Sequence, residues 1–293
     1  MILKNGSKGE KVKELQEFLQ INVDGIFGEG TTNHVINWQL KNGLIGDGIV
    51  GNKTWEAMGL ATTDNSEKII VTDNNLFIEY YMLPKDEYKT GPTEKEYLFL
   101  HHTARWHNPY KCVDGWNNDT RGAIATEFVL GGPSVKGNNT DYDGKLLKCM
   151  PDGAYGWHLG KNGSQHMHSH SVGIEVCNFG YIIDGKTYAG TSVDESQIVT
   201  LSEEFRGHKT WHRYSNEQIE VLSKFIKFIG ERDGIDIREG LPNLIREKGV
   251  KAFDFNEDAY YGRIKGILTH TNTRKDKFDM FPQSELLDML LSL

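Results

Sequence analysis

The chain contains little cysteine and no long hydrophobic run, and both absences narrow its structural class. Its 293 residues include only three cysteines, Cys112, Cys149 and Cys177, and no CxxC pair. Three thiols exclude a dense disulfide framework, and we expect them to be reduced core residues. No stretch of about 18 apolar residues occurs, so the sequence predicts no transmembrane helix and no membrane partner.

An excess of positive charge is also lacking. The sequence has 33 lysines and arginines against 41 aspartates and glutamates, which gives a net charge of −8. Proteins that bind nucleic acids present basic surfaces, so this balance predicts no nucleic-acid partner. With 38% hydrophobic and 25% charged residues, the composition is typical of globular proteins, and the length suffices for two domains.

The first residues carry no apolar segment of the kind found in secretory signals. Residues 1–8 read MILKNGSK, whereas a signal peptide contains an apolar core of about 7–15 residues. The sequence therefore predicts synthesis in the cytoplasm. A substrate outside the cytoplasm would require another route of delivery.

What the sequence does contain is an internal repeat near its start. Residues 24–31 and 47–54 both read D-G-I-x-G-x-x-T. The first glycine of each copy suits a tight turn after aspartate, and the second precedes a new helix. An apolar helix face, with Val12 and Leu15, comes before them. The pattern predicts a small all-α domain of three helices over residues 1–60, which by itself could serve either folding or binding.

This segment resembles the peptidoglycan-binding domain of bacterial and phage wall hydrolases. The resemblance runs from about residue 3 to residue 59 and rests on both turns, on Gly6-Ser7-Lys8-Gly9 and on Leu15-Gln16. It implies that the domain anchors the protein to peptidoglycan. A polar stretch typical of linkers follows, so we expect a linker over residues 61–70 and a second domain over residues 71–293.

The second domain places histidines directly after short apolar runs. Residues 97–100 precede His101, residues 266–269 precede His270, and a third apolar run carries Glu175. Ligands and catalytic groups in α/β proteins often follow strand ends. Two histidines and a carboxylate suit Zn²⁺, which lowers the pKa of water to roughly 7. The chain has eleven histidines, so the residues alone leave the ligand pair open.

Other histidines offer a rival zinc site. His166-Met167-His168-Ser169-His170 contains two HxH pairs, and in a strand each pair would place both imidazoles on one face. We favour a polar loop that enters the Glu175 strand instead. Strand alternation also predicts that His102 points away from His101. His158 could line a substrate cleft or be half-buried structure, and both interpretations stay open.

A series of blocks from about residue 95 to the C-terminus resembles the type 2 N-acetylmuramoyl-L-alanine amidases. In chain order the blocks are residues 98–104, 143–147, 156–160, 171–175, 217–219 and 269–279. The resemblance implies an α/β domain with a central mixed β-sheet flanked by helices. It also implies a Zn²⁺ ion bound by His101, His270 and Asp279, a catalytic Glu175, and a Lys277 that stabilises the tetrahedral intermediate.

The sequence departs from this family at two places. Glu127 and its neighbours stand where many relatives carry a tyrosine, which leaves Glu175 as the candidate base. The last block lacks the usual D-P-G, so Asp276 is a rival third ligand, although Asp279 keeps the K-x-D spacing. Two insertions, residues 181–210 and 238–263, match nothing in the family.

Together the two resemblances predict a monomeric, zinc-dependent peptidoglycan hydrolase that cleaves the amide bond between N-acetylmuramic acid and L-alanine. They suggest a phage endolysin, made in the host cytoplasm and acting at the bacterial cell wall, or an exported autolysin. His158 is the predicted substrate contact. One alternative is a zinc peptidase that cuts the stem peptide with His168 and His170. Another is a peptidoglycan-recognition protein without catalytic activity.

Overall fold

The chain divides into two compact units, Met1–Ser66 and Glu67–Leu293. The computed structural model describes residues 3–60, 69–72, 75–91 and 94–293. Residues 61–68 of the predicted linker lie outside the described residues, so its bounds stay a prediction. No helix within the described ranges has the length and apolar character needed to cross a membrane.

The N-terminal unit consists of three helices around a small apolar core. The helices are α1 Glu10–Phe18, α2 Glu29–Lys41 and α3 Asn52–Ala57. The fully or nearly buried core side chains are Leu3, Val12, Leu15, Phe27, Val35, Val50, Trp55 and Met58. This architecture confirms the predicted three-helix all-α domain.

Each copy of the repeat is organised by a buried glutamine of the preceding helix. In the first copy, the Gln16 amide nitrogen donates to Asp24 Oδ1 at 2.8 Å, to the Ile26 carbonyl at 3.0 Å and to Thr31 Oγ1 at 3.2 Å. Its carbonyl oxygen accepts from the Gly25 amide at 2.8 Å. Gly25 has a φ of 71°, a left-handed conformation that glycine adopts without steric cost.

The second copy repeats this network around Gln39. Its amide nitrogen donates to Asp47 Oδ1 at 2.9 Å, to the Ile49 carbonyl at 2.9 Å and to Thr54 Oγ1 at 3.2 Å. The Gly48 amide donates to its carbonyl oxygen at 3.0 Å. The glutamine therefore belongs to the repeat together with the aspartate and threonine visible in the motif.

The C-terminal unit is built on a mixed sheet of seven strands. In chain order the strands that the structure describes in this unit, those of the sheet and two more, are β1 Ile69–Val71, β2 Phe77–Tyr80, β3 Tyr97–His102, β4 Phe128–Leu130, β5 Leu146–Lys148, β6 Ser171–Val176, β7 Ile198–Phe205, β8 His208–His212 and β9 Gly266–Thr269. The seven-stranded sheet has the order β1-β2-β5-β4-β6-β3-β9, and β7 and β8 form a separate antiparallel pair. Strands β4, β6, β3 and β9 run parallel, whereas β5 is antiparallel to β4.

Helices cover both faces of this sheet. They are α4 Pro109–Asn117, α5 Gln165–Ser169, α6 Asn216–Asp233, α7 Leu241–Lys248, α8 Glu257–Tyr260, α9 His270–Thr273 and α10 Ser284–Leu291. The largest core packs β3 and β6 against α6, α7 and α10, and smaller cores lie under α4 and α5. The predicted α/β domain with a central mixed sheet flanked by helices is confirmed.

The longest helix, α6, shows why this packing forms. Ser215 accepts from the Gln218 amide at 3.0 Å while the Gln218 side chain accepts from the Ser215 amide, a capping box that starts the helix. The helix ends at Gly234 in the left-handed conformation. Its apolar face, which includes Phe225 and Ile229, is fully buried against the sheet.

Candidate active site

The site lies where three parallel strands end. His101 in β3 is the register partner of Glu175 in β6, and Leu100 is the partner of Thr269, the last residue of β9. His270 follows Thr269 directly and opens α9. Because the carboxyl ends of parallel strands meet at one edge, residues that are far apart in sequence become neighbours here.

Three of the predicted ligands meet at this edge. His101 Nδ1 lies 3.1 Å from His270 Nδ1 and 3.3 Å from Asp279 Oδ2, and His270 Nδ1 lies 3.1 Å from the same carboxylate oxygen. All three residues are buried, and within the described residues they are the one group of histidine, cysteine and acidic side chains that could hold a metal ion.

The size and chemistry of this triangle fit zinc. Ligand atoms held about 2.0–2.1 Å from a tetrahedral ion lie about 3.3–3.4 Å from one another, close to the three distances found. Burial lowers the pKa of His101 to about 4. Although burial acts to raise the pKa of Asp279, His270 and His101 hold it well below its usual value. At neutral pH the cluster therefore presents a neutral imidazole and a carboxylate, which are the metal-binding forms.

The rival carboxylate, Asp276, is not part of the cluster. Its side chain is 60% exposed and accepts two hydrogen bonds from Arg274, at 2.8 Å and 2.5 Å. Hydrogen bonding from Arg274 lowers the pKa of Asp276 to about 2. Of the two aspartates, the structure brings Asp279 to the histidines.

Glu175 and Lys277 line the same cleft as the metal cluster. The cleft has a volume of about 1100 Å³, and its walls include His270, Asp279, Glu175 and Lys277. Glu175 Oε2 is buried without a hydrogen-bond partner among the described residues. Burial, and then the charge of Asp279, raise the pKa of Glu175 well above its usual value, whereas Lys277 lowers it. A carboxyl group with a raised pKa is suited to exchanging protons near neutral pH.

His158 lies directly behind His101. Its Nδ1 is 2.9 Å from His101 Nε2, and its Nε2 is 2.8 Å from Ser171 Oγ. The residue also borders the cleft but is only 9% exposed. Both ring nitrogens thus contact protein groups. The sequence, which predicted His158 as a substrate contact, did not indicate these two hydrogen bonds.

The remaining histidines lie apart from the cluster. His102 faces the other side of β3, as alternation predicts, and its Nδ1 lies 2.9 Å from the Tyr214 hydroxyl. The polar loop predicted for the HxH segment is wrong, because residues Gln165–Ser169 form α5. His168 Nε2 is 3.1 Å from the Gly160 carbonyl, and His166 stacks on His170 with ring centroids 3.9 Å apart. The helical turn of α5 brings the rings of His166 and His170 together. Neither the strand nor the loop considered from the sequence predicts this contact between residues four positions apart.

The glutamate that replaces the family's tyrosine also lies outside the site. Glu127 is buried and accepts from Arg232 at 2.8 Å and 3.3 Å. Lys148 lies 3.8 Å from the same carboxylate. Glu127 is therefore part of a buried ion network at the C-terminal end of α6.

The insertion over residues 181–210 contributes contacts to the site that the sequence did not reveal. Arg206, between β7 and β8, donates to the carbonyls of Lys275 at 2.6 Å and Thr271 at 3.1 Å. Those carbonyls belong to the segment between His270 and Lys277. Tyr188, from the same insertion, lines the cleft and donates to the Ala104 carbonyl at 2.7 Å. Neither residue belongs to a motif, so no sequence signal pointed to them.

Comparison with protein-family models decides the family. The model described as N-acetylmuramoyl-L-alanine amidase matches residues 91–276, more than half of the chain. The chain belongs to this family. The model of the peptidoglycan binding domain matches residues 8–58 of the chain. The amidase match ends just before Lys277 and Asp279, so the placement of these two residues rests on the structure.

Individual relatives resemble only parts of the chain. The spore cortex-lytic enzyme of Bacillus cereus is 42% identical over 67 residues, which cover 21% of this chain and 26% of that enzyme. The chain thus spans about a quarter of the length of the curated relatives it matches. Among solved structures, a mutant endolysin from Bacillus subtilis is 18% identical, with 55% of this chain and 79% of that chain covered and a TM-score of 0.34. The Burkholderia AP3 phage endolysin is 35% identical over 20% of this chain and 24% of its own, with a TM-score of 0.20.

Proposed function

We propose that this protein is a zinc-dependent peptidoglycan hydrolase that cleaves the amide bond between N-acetylmuramic acid and L-alanine. The observation that carries the proposal is the convergence of His101, His270 and Asp279 in one buried triangle of 3.1–3.3 Å, beside Glu175 and Lys277. The membership in the amidase family supports the choice of bond.

Each residue has a definite part in the reaction. His101, His270 and Asp279 would hold the ion, which when bound supplies a Lewis acid and lowers the pKa of water. Glu175 accepts a proton from the attacking water as its oxygen bonds to the carbonyl carbon, and returns that proton to the departing L-alanine nitrogen as the C–N bond breaks. Lys277, which lines the cleft, would offset with its ammonium the negative charge that develops on the carbonyl oxygen.

The N-terminal unit would keep this chemistry close to its polymeric substrate. The match to the peptidoglycan binding domain supports a wall-anchoring role, and a tethered domain raises the local concentration of substrate bonds around the cleft. The pairing of an anchor with a lytic domain in one chain supports an endolysin-like lysin, which we propose acts as a monomer. We propose that it is made in the cytoplasm of a phage-infected host and acts at the cell wall.

Product analysis of digested cell walls tests the proposed bond. Purified sacculi treated with the protein should release a new L-alanine amino terminus. A new amine elsewhere in the stem peptide would indicate a peptidase, and the absence of any new amine would contradict enzymatic activity of either kind.

Two matched pairs of variants test the ligand assignment. Asp279→Ala and His101→Ala should lose both bound zinc and activity, because each removes one corner of the triangle. Asp276→Ala and His168→Ala should keep both, since these side chains contact Arg274 and the Gly160 carbonyl instead. Zinc loss in Asp276→Ala with retention in Asp279→Ala would reverse the assignment of the third ligand.

A further inference from the structure

A chain of buried hydrogen bonds leads away from the metal cluster. It starts at His101 Nε2, the ring nitrogen that faces away from His270 and Asp279, and runs to His158 Nδ1 at 2.9 Å. From His158 Nε2 it continues to Ser171 Oγ at 2.8 Å. The Ser171 hydroxyl then lies 3.3 Å from the His168 carbonyl.

The last group of the chain sets the direction of every bond in it. A carbonyl oxygen can only accept, so Ser171 donates to the His168 carbonyl and accepts from His158 Nε2–H. With its proton on Nε2, a neutral His158 has a free electron pair on Nδ1, which accepts from His101 Nε2–H. His101 is then left with a free electron pair on Nδ1, the atom that faces His270 and Asp279.

The surroundings hold the His158 ring in position. The ring is buried, and each of its nitrogens lies within hydrogen-bond distance of a protein group. Gly173 in β6 gives the ring its space, because a Cβ at this position would lie 3.2 Å from His158 Nδ1 and 2.9 Å from Thr126 Cγ2. The His158 ring also packs edge-on against His101, with centroids 5.1 Å apart.

We propose that His158 and Ser171 are positioning residues that hold His101 in the tautomer whose Nδ1 can bind the metal ion. This inference rests on the proposed zinc function. Both nitrogens of His158 are used within the chain, so the ring has no polar atom left for substrate. Hydrogen bonds of this type orient a metal-bound histidine and increase its basicity.

Zinc affinity in the purified full-length protein, measured by competition with a chromophoric chelator, tests the proposal. His158→Phe keeps a ring of similar shape but cannot accept, and should raise the zinc Kd by about 10- to 100-fold. His158→Asn should restore part of the affinity, because its amide oxygen can accept from His101 Nε2–H. Ser171→Ala should weaken binding in the same direction, and the exposed His166→Ala serves as the unchanged control.

The tautomer itself can be read by NMR. In the zinc-free wild type, ¹⁵N shifts should show His101 protonated at Nε2 and unprotonated at Nδ1, whereas Ser171→Ala should show a mixture of tautomers. Should His158→Phe fail to fold, the zinc Kd and tautomer of Ser171→Ala decide the question. An unchanged zinc Kd with a raised KM in His158→Phe would overturn the proposal in favour of a substrate contact. A wild type that binds no zinc would overturn it together with the proposed function, whereas zinc binding unaffected by the variants would overturn this inference alone.

Discussion

His101 and Glu175 are register partners on adjacent parallel strands, so their side chains leave the same face of the sheet at neighbouring positions. The next residue of β3, His102, points to the opposite face and contacts Tyr214. One strand pair thus sets the separation between His101, the proposed metal ligand, and Glu175, the proposed proton-transfer group. The separation depends on backbone hydrogen bonds, which are insensitive to side-chain substitution.

This arrangement predicts that Glu175→Gln separates metal binding from turnover. Glutamine keeps the size of the side chain but cannot accept a proton, so turnover should fall by about 100- to 10,000-fold. Zinc content, measured by elemental analysis, should stay at the wild-type level, because the three ligands are untouched. His101→Ala is the contrasting variant and should lose both zinc and turnover. Full activity in Glu175→Gln would contradict the assigned proton transfer.

The sequence could indicate those site residues that lie at or near strand ends. His101 and His270 stand directly after apolar runs, and Glu175 lies inside a third run. Because functional groups of α/β proteins often follow strand ends, this pattern predicts that the three residues lie near one edge of the sheet. The third ligand was harder, because Asp276 and Asp279 differ only in how a loop folds. The pairing of Asp276 with Arg274 excludes it from the cluster, and no periodicity of the sequence encodes that contact.

Contacts between distant segments account for what the sequence could not show. His158 reaches His101 across 57 positions, and Arg206 reaches Lys275 across 69. Both depend on tertiary packing, and neither residue stands in a pattern with its partner. The Gln16 network is different, because Gln16 and Gln39 stand at the same distance before the two D-G-I-x-G-x-x-T motifs. Extending the alignment of the two repeat copies toward the N-terminus therefore reveals the glutamine from sequence alone.

Arg206 provides a second prediction, about the insertion between residues 181 and 210. Its guanidinium donates to the carbonyls of Lys275 and Thr271, which lie in the segment that joins His270 to Lys277. Arg206→Ala removes hydrogen bonds from a charged donor, each worth about 1.5–3 kcal/mol, and should lower the unfolding free energy and kcat while changing KM little. Denaturant titrations and steady-state kinetics measure both effects.

The control for Arg206 is Arg213→Ala. Arg213 directly follows β8. Its side chain is 35% exposed and lies 3.9 Å from Glu285. Surface pairs of this kind contribute about 0–1 kcal/mol, so stability and kcat should stay near the wild-type values. Equal losses of stability and kcat in the two variants would show that the insertion does not support the site through Arg206.

His212 predicts a pH dependence of stability. Its Nδ1 accepts from the Phe179 amide at 3.2 Å, and its Nε2 is buried without a partner among the described residues. Burial lowers the pKa of His212 to about 3. Below pH 6.5 the unfolded chain gains a proton that the folded chain does not, so stability falls as the pH decreases from about 6.5 toward 3.

Comparing His212→Asn with the wild type measures this contribution. Asparagine can keep the hydrogen bond from Phe179 but does not titrate. Between pH 7 and pH 5, the wild type should lose about 2 kcal/mol more unfolding free energy than the variant. Urea denaturation of the C-terminal unit at the two pH values provides the numbers. Parallel pH profiles would mean that the pKa of His212 is the same in the folded and unfolded chains.

The glutamines of the N-terminal unit give the last prediction. Gln16→Met and Gln39→Met each leave the Gly25 or Gly48 amide without its acceptor, and an unsatisfied buried donor costs about 1–3 kcal/mol. Because the two networks match in partners and distances, the two variants should lose similar amounts of stability. Hydrogen exchange over residues 3–60 reports on this unit within the full chain. Gln20→Met, at an exposed position, is the control. Destabilisation by only one of Gln16→Met and Gln39→Met would show that the two repeat copies do not contribute equally to the stability of the domain, although their geometry is alike.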